Sequence, residues 1–120
     1  MVSHGFVSSG LFLAVGVLYD RYHTRLLKYF GGFNYYMPLL SLIFLILTLG
    51  NISFPGTVSF IGEILIIFGF FTKNIILTII TVIGCILSAI YALWLYNRIF
   101  SGQIVKYKLN AINKNFFFFF

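Results

Sequence analysis

The sequence predicts an all-α fold of polytopic transmembrane helices, with about three spans and a discontinuous middle one. Three observations predict it. The chain of 120 residues is 61% hydrophobic and 8% charged, with a mean hydropathy of +1.04, whereas soluble domains run near about 45–50% and 25%. Its charges gather in short clusters between long apolar runs, as membrane topology requires. Its longest apolar run is interrupted at Pro55–Gly56. A surface this apolar cannot be kept in water, and a chain this hydrophobic is not disordered, so the class is an integral membrane protein.

Residues 1–19 read as a truncated first span. The apolar stretch from Gly5 to Tyr19 covers only about 22 Å as a helix, against a hydrocarbon core of roughly 30 Å. Either the span is cut short or its beginning lies in another chain. Residues 20–36 form a basic loop with Arg21, His23, Arg25 and Lys28. Residues 37–72 hold an apolar segment of roughly 35 residues, about 52 Å as one straight helix and too long for one crossing. Gly50, Pro55 and Gly56 mark a helix break there. Pro55 removes a backbone donor and Gly56 frees the following turn. The reading is one crossing made of two half-helices, about 39–52 and 58–71, joined by an unwound link. Unwound backbone at membrane depth is tolerated where protein buries it or where it lines a wet cavity, a device of ion-handling membrane proteins. The simpler alternative is a proline kink in a long tilted helix.

Lys73 and Asn74 form a polar turn before the third span, residues 75–96, whose length of about 33 Å suits a full crossing. Thr78, Thr81, Gly84, Ser88 and Tyr91 recur at helical spacing and read as a packing face. Tyr91, Trp94 and Tyr96 resemble an interfacial aromatic belt. Residues 97–120 are a basic tail, and Phe116 to Phe120 would open a further span.

Charge fixes the expected topology. Two crossings separate Arg21, Arg25 and Lys28 from Arg98, Lys106, Lys108 and Lys114, so both clusters share one side, with Lys73 alone on the other. The positive-inside rule puts the basic loops in the cytoplasm or, for an organelle-encoded chain, in the matrix. The bias toward Phe, Ile, Leu, Tyr, Asn and Lys suggests an AT-rich genome, which fits an organelle. No cleavable signal is evident. The formal charge of +6 does not argue for nucleic acid, since the cations are topological. A single cysteine, Cys85, excludes a disulfide framework and a cysteine-cluster metal site, and it reads as an inert buried thiol.

Glu63 and His4 are the candidates for chemistry. Glu63 lies within the second half-helix, where a carboxylate costs several kcal/mol unless paired, hydrated or protonated. A carboxyl group so placed can take up and release protons, which makes an intramembrane acid a functional candidate. The competing reading is an acid held by a buried partner for packing specificity. Ser59, one turn earlier on the same face, is an expected hydrogen-bond partner. His4 carries a side chain suited to a proton shuttle; a lone histidine near a chain start is as readily a surface residue. His23 reads as solvated or at the headgroups. No phosphate, flavin, iron–sulfur or zinc motif occurs, so no cofactor is expected in this chain and no redox chemistry of its own.

The motifs together carry a resemblance. The run HGFVSSGLFLAVGVLYDRYHTRLLKYFGG from His4 to Gly32, LTLGNISFPGTVSFIGEILIIFGFF from Leu47 to Phe71, and AIYALWLYNRIFSG from Ala89 to Gly102 resemble, in order, the C-terminal portion of the NADH dehydrogenase (ubiquinone) subunit 4 family of respiratory complex I. That family is one of antiporter-like, proton-translocating subunits. The resemblance implies that this chain is a fragment of a larger antiporter-like helical bundle. It implies that Glu63 falls at the family's terminal proton-channel acid on the broken helix, that His4 falls at its mid-membrane histidine, and that Gly50, Pro55 and Gly56 match the helix break. Related subunits 2 and 5 usually carry lysine where Glu63 stands, which favours subunit 4. The family's earlier spans, with their acid and lysines, are missing here, as is the last span.

The resemblance also implies a C-terminal piece, either a split-gene product or part of a longer protein; Met1 favours the separate product. The implied function is proton translocation in mitochondrial complex I, coupled to NADH-to-ubiquinone electron transfer in other subunits. Flavin, iron–sulfur clusters and quinone are expected in those subunits. The implied partners are other membrane-arm subunits, the lipid bilayer and a chain supplying the missing N-terminal spans. The implied location is the mitochondrial inner membrane with the basic loops on the matrix side. The alternatives are a cation/proton antiporter subunit and a structural membrane-arm fragment that no longer transports.

Overall fold

The computed structural model describes residues 1–23 and 25–102, and all regular structure among them is helical. Helix α1 spans Val2–Tyr22. Its 21 residues make about 31 Å, longer than the apolar stretch inside it, because Val2, Ser3 and His4 precede that stretch and Asp20, Arg21 and Tyr22 continue the last turn. By length and composition it is long and apolar enough to cross a membrane. The helix stops at His23, which enters the left-handed region at φ 50° and donates its N–H to the Tyr19 carbonyl at 2.7 Å.

The basic loop contains more structure than its polarity suggested. A 3-10 turn at Leu27–Tyr29 is followed by the one-turn helix α2, Phe33–Tyr36, which Gly32 opens at φ 69°. Helix α3, Pro38–Asn51, begins one residue later with Pro38 at a first-turn position, where a missing N–H costs nothing.

The long apolar run is broken as expected, and the stop is made by a serine. Ser53 takes a left-handed φ of 59°. Its N–H reaches the Gly50 carbonyl at 3.3 Å, and the Phe54 N–H reaches back to the Leu49 carbonyl at 3.1 Å. Those two bonds form a Schellman cap, which usually places glycine where Ser53 stands. Phe54 to Thr57 then make a turn closed by the Thr57 N–H on the Phe54 carbonyl at 3.0 Å, with Pro55 second and Gly56 third at φ 104°, the residue choice of a type II turn. Helix α4 resumes at Val58–Phe71. Gly50 therefore lies in the last helical turn of α3, whereas Pro55 and Gly56 lie in the link. The Asn74 side chain accepts hydrogen bonds from the N–H groups of Ile76 and Leu77 at 2.9 and 3.5 Å, capping α5, Ile75–Phe100. Its 26 residues cover about 39 Å and extend past Tyr96, with Arg98 in the last turn where a cation suits the helix dipole.

The helices register against one another by small contacts. A Cβ on Gly10 would lie 2.9 Å from Leu47, and one on Gly50 would lie 3.2 Å from Val7, so α1 runs antiparallel to α3 at close approach. Ser41 Oγ and Tyr96 Oη lie 2.9 Å apart, joining the start of α3 to the end of α5. Helix α5 thus returns along both halves of the broken helix. The core sits at this end, where Phe30, Phe33, Phe44 and Phe100 cluster with Met37 and Leu18. Helix α4, by contrast, has no buried residue.

Along α5 only Thr78 of the small-residue stripe is buried within this chain, and a Cβ on Gly84 would meet nothing within 4 Å, so the described residues supply no close-packed partner for most of that stripe. Of the aromatic belt, Tyr91 and Trp94 are exposed, while Tyr96 packs inward on Phe100 and Ser41. Lys106, Lys108, Lys114 and Phe116 to Phe120 lie outside the described residues.

Candidate functional site

The start of α1, the end of α3, α4 and the middle of α5 line an open cavity of about 950 Å³. Gly50, Asn51 and Ser53, where α3 stops, form part of its wall. Both sequence-predicted titratable residues line this cavity: His4 from the first turn of α1 and Glu63 from the second turn of α4. Glu63 is half-buried and His4 is exposed. Among the described residues no hydrogen bond or ion pair joins the two. They share a space rather than a bond.

Polar side chains complete the wall. Ser3 and Ser59 meet at 2.8 Å through their hydroxyl oxygens, so α1 and α4 are tied beside His4 and Glu63. Ser59 was expected to bind the Glu63 carboxylate; it reaches the first helix instead. Thr81 and Ser88 line the opposite wall and donate to carbonyls of their own helix, Thr78 and Cys85, both at 2.8 Å. Gly50 lines the cavity too, whereas Pro55 and Gly56 stand outside its wall. His23 lies away from it, edge-on to Tyr19 with ring centroids 6.1 Å apart.

Sequence reasoning missed Cys85. The thiol is half-buried and lines the same cavity as Glu63. A signal existed. Glu63 and Cys85 stand about eleven residues on either side of the Lys73–Asn74 turn, and two antiparallel helices joined by a tight turn bring such positions together.

Chemically the site offers a carboxyl group, an imidazole, a thiol and several hydroxyls around one cavity. Such a space has room for many waters at about 30 Å³ each, and titratable groups around water are what proton transfer needs. Among the described residues no group of three His, Cys, Asp or Glu stands together as metal ligands.

Comparison with known proteins bears on this site. Residues 1–90 match the transmembrane family described as NADH:quinone oxidoreductase/Mrp antiporter. The chain is 53% identical over 116 residues to NADH-ubiquinone oxidoreductase chain 4 of Triticum aestivum, covering 94% of this chain and 23% of that protein. It is 56% identical over 104 residues to chain 4 of Arabidopsis thaliana, covering 87% of this chain and 21% of that one. It is 48% identical over 113 residues to NADH-quinone oxidoreductase subunit M of Rhodobacter capsulatus, covering 94% and 22% respectively. The chain therefore spans between a fifth and a quarter of the length of these relatives.

Proposed function

Because the chain belongs to the NADH:quinone oxidoreductase/Mrp antiporter membrane family, we propose that it works as the C-terminal part of the proton-translocating subunit 4 of mitochondrial respiratory complex I. Its place is the inner membrane, with the basic loops toward the matrix. NADH oxidation and ubiquinone reduction belong to other subunits, which hold the flavin, the iron–sulfur clusters and the quinone. Other membrane-arm subunits, including a chain with the remaining N-terminal spans of subunit 4, are its partners.

The observation that carries this reading is the shared cavity. Glu63 and His4 line one open space near a helix break, and an intramembrane acid needs access to water or polar groups to change protonation. In this mechanism Glu63 takes a proton from water in the cavity and gives it up when the field along the arm changes. His4 passes or receives that proton through the same water. The Ser3–Ser59 pair, 2.8 Å apart, holds α1 and α4 so that His4 and Glu63 keep facing one volume. Moving a charge against about 100 mV costs about 2.3 kcal/mol, which the redox subunits must supply.

The test is Glu63→Gln in the assembled enzyme. Glutamine keeps the size and polarity and cannot carry the proton. The expected result is normal assembly on a native gel, unchanged NADH oxidation by an artificial acceptor, and proton translocation reduced at least about tenfold, the scale of losing one acid–base group. Translocation at the wild-type rate would favour a structural membrane-arm fragment instead. The family description also includes Mrp antiporters, which supports a second reading as a cation/proton antiporter subunit. Purification of the chain without redox subunits would favour that one.

A further inference from the structure

A second cavity, of about 490 Å³, lies between the basic loop and the end of α5. It is separate from the Glu63 site, since Arg98 stands about 20 Å along α5 from Cys85. Two cations, Lys28 and Arg98, line it with Trp94, Asn97, Gly31 and Ser101. Both cations are exposed. The chain has two acids in all, Asp20 and Glu63, and neither lines this cavity. The neighbouring cations are engaged elsewhere: Arg21 donates to Met37 Sδ at 3.3 Å, and Arg25 lies over the Tyr19 ring, 5.1 Å from its centroid. Lys28 and Arg98 are left as like charges around one space.

The rim is firmly built. The Gly32 N–H donates to the Ser101 carbonyl at 3.3 Å, tying the loop that carries Lys28 to the turn that carries Arg98. Beneath this tie, Phe33 and Phe100 are each 1% exposed. The carbonyl end of α5 disfavours an anion by about half a charge, which two full positive charges outweigh. Trp94 marks the depth of the cavity, because exposed tryptophan settles at the membrane–water boundary. From there Ile90 and Leu87 continue as an exposed apolar face along α5.

We propose that this cavity binds the headgroup phosphate of an anionic phospholipid. Lys28 and Arg98 hold the phosphate by charge-assisted hydrogen bonds, the Asn97 amide donates a further one, and the acyl chains run down the Trp94–Ile90–Leu87 face. Basic pockets between transmembrane helices at the membrane edge are suited to such headgroups. A free phosphate ion shares the headgroup chemistry; the apolar face directly below the cations favours the lipid.

Trp94 is the chain's single tryptophan, so its fluorescence reports on this cavity alone. The full chain is reconstituted in phosphatidylcholine vesicles containing a minor fraction of brominated lipid, either phosphatidylglycerol or phosphatidylcholine. Brominated phosphatidylglycerol is expected to quench Trp94 in clear preference to the zwitterionic probe, less so at high salt. Lys28→Gln and Arg98→Gln are each expected to reduce that preference by about fivefold, the equivalent of about 1 kcal/mol per basic residue near the surface. Lys28→Arg combined with Arg98→Lys should retain it and guards against a folding defect. Equal quenching by the two probes, a preference unchanged in the double glutamine variant, or its loss in the charge-conserving variant would overturn the proposal. Abolition by inorganic phosphate would also overturn it, showing an ion site rather than a lipid site.

Discussion

The two ends of this helical bundle are built on opposite principles. At the end where α1 finishes and α3 begins, aromatic side chains from the loop, α3 and α5 pack into a closed core, with Phe30–Phe33 and Phe44–Phe100 ring centroids 5.5 and 5.1 Å apart. At the other end α4 buries nothing, and the space between helices is an open, mostly apolar cavity in which Glu63, His4 and a few hydroxyls stand. Dense packing resists change because interiors tolerate neither voids nor overfilling. An open cavity that carries a carboxyl group, an imidazole and hydroxyls can admit water beside them. The closed end therefore fixes the register of α1, α3 and α5, and that register decides which groups meet at the open end. The same glycine type has different work at each. Gly50 admits Val7 and sets the α1–α3 distance, while Gly84 merely leaves the cavity wall low.

Substitutions probe the contrast. Phe33→Ala at the closed end is expected to cost about 3–5 kcal/mol, read as a large fall in the thermal midpoint of helicity in detergent; a small fall would show that the aromatic core is not the anchor. Ser41→Ala removes a nearly inaccessible hydroxyl and leaves the Tyr96 hydroxyl only the Ser41 carbonyl at 3.4 Å, for a loss of about 1 kcal/mol on the same assay. Gly50→Ala forces Val7 to give way and should cost about 1 kcal/mol, whereas Gly84→Ala, with open space around it, should be neutral or stabilising by up to about 1 kcal/mol through helix propensity. Reversal of that pair would erase the difference between the two ends. Smallest is Ser59→Ala at the open end, expected within about 0.5 kcal/mol in stability, since water can replace Ser59 as the partner of Ser3.

Much of this was legible in the sequence, for identifiable reasons. The all-α class follows from apolar runs too long for anything else, and the broken helix from Pro55–Gly56, because proline and glycine act locally. The actual stop at Ser53 was not legible: a serine enters the left-handed region only when tertiary packing and the Leu49 and Gly50 carbonyls hold it there. The helical ends of α1 and α5 extend through charged residues that a hydropathy reading assigns to loops, since helix formation continues after burial ends. Glu63 and His4 were legible as isolated polar groups in apolar surroundings. Their common cavity, the Ser3–Ser59 tie and the approach of Cys85 depend on how helices distant in sequence pack, which residue identity alone does not specify. The resemblance to subunit 4, carried by several motifs in order, agrees with the family match over residues 1–90.

The central claim is that Glu63 changes protonation within its cavity. Infrared difference spectroscopy of the assembled enzyme during turnover can test it, with Glu63→Gln identifying the carboxyl band. A proton relay through Glu63 predicts that a protonated-carboxyl band and the carboxylate bands interconvert with turnover, and that both disappear in the variant. A Glu63 that stays a carboxylate throughout, locked to a fixed cation, would contradict it.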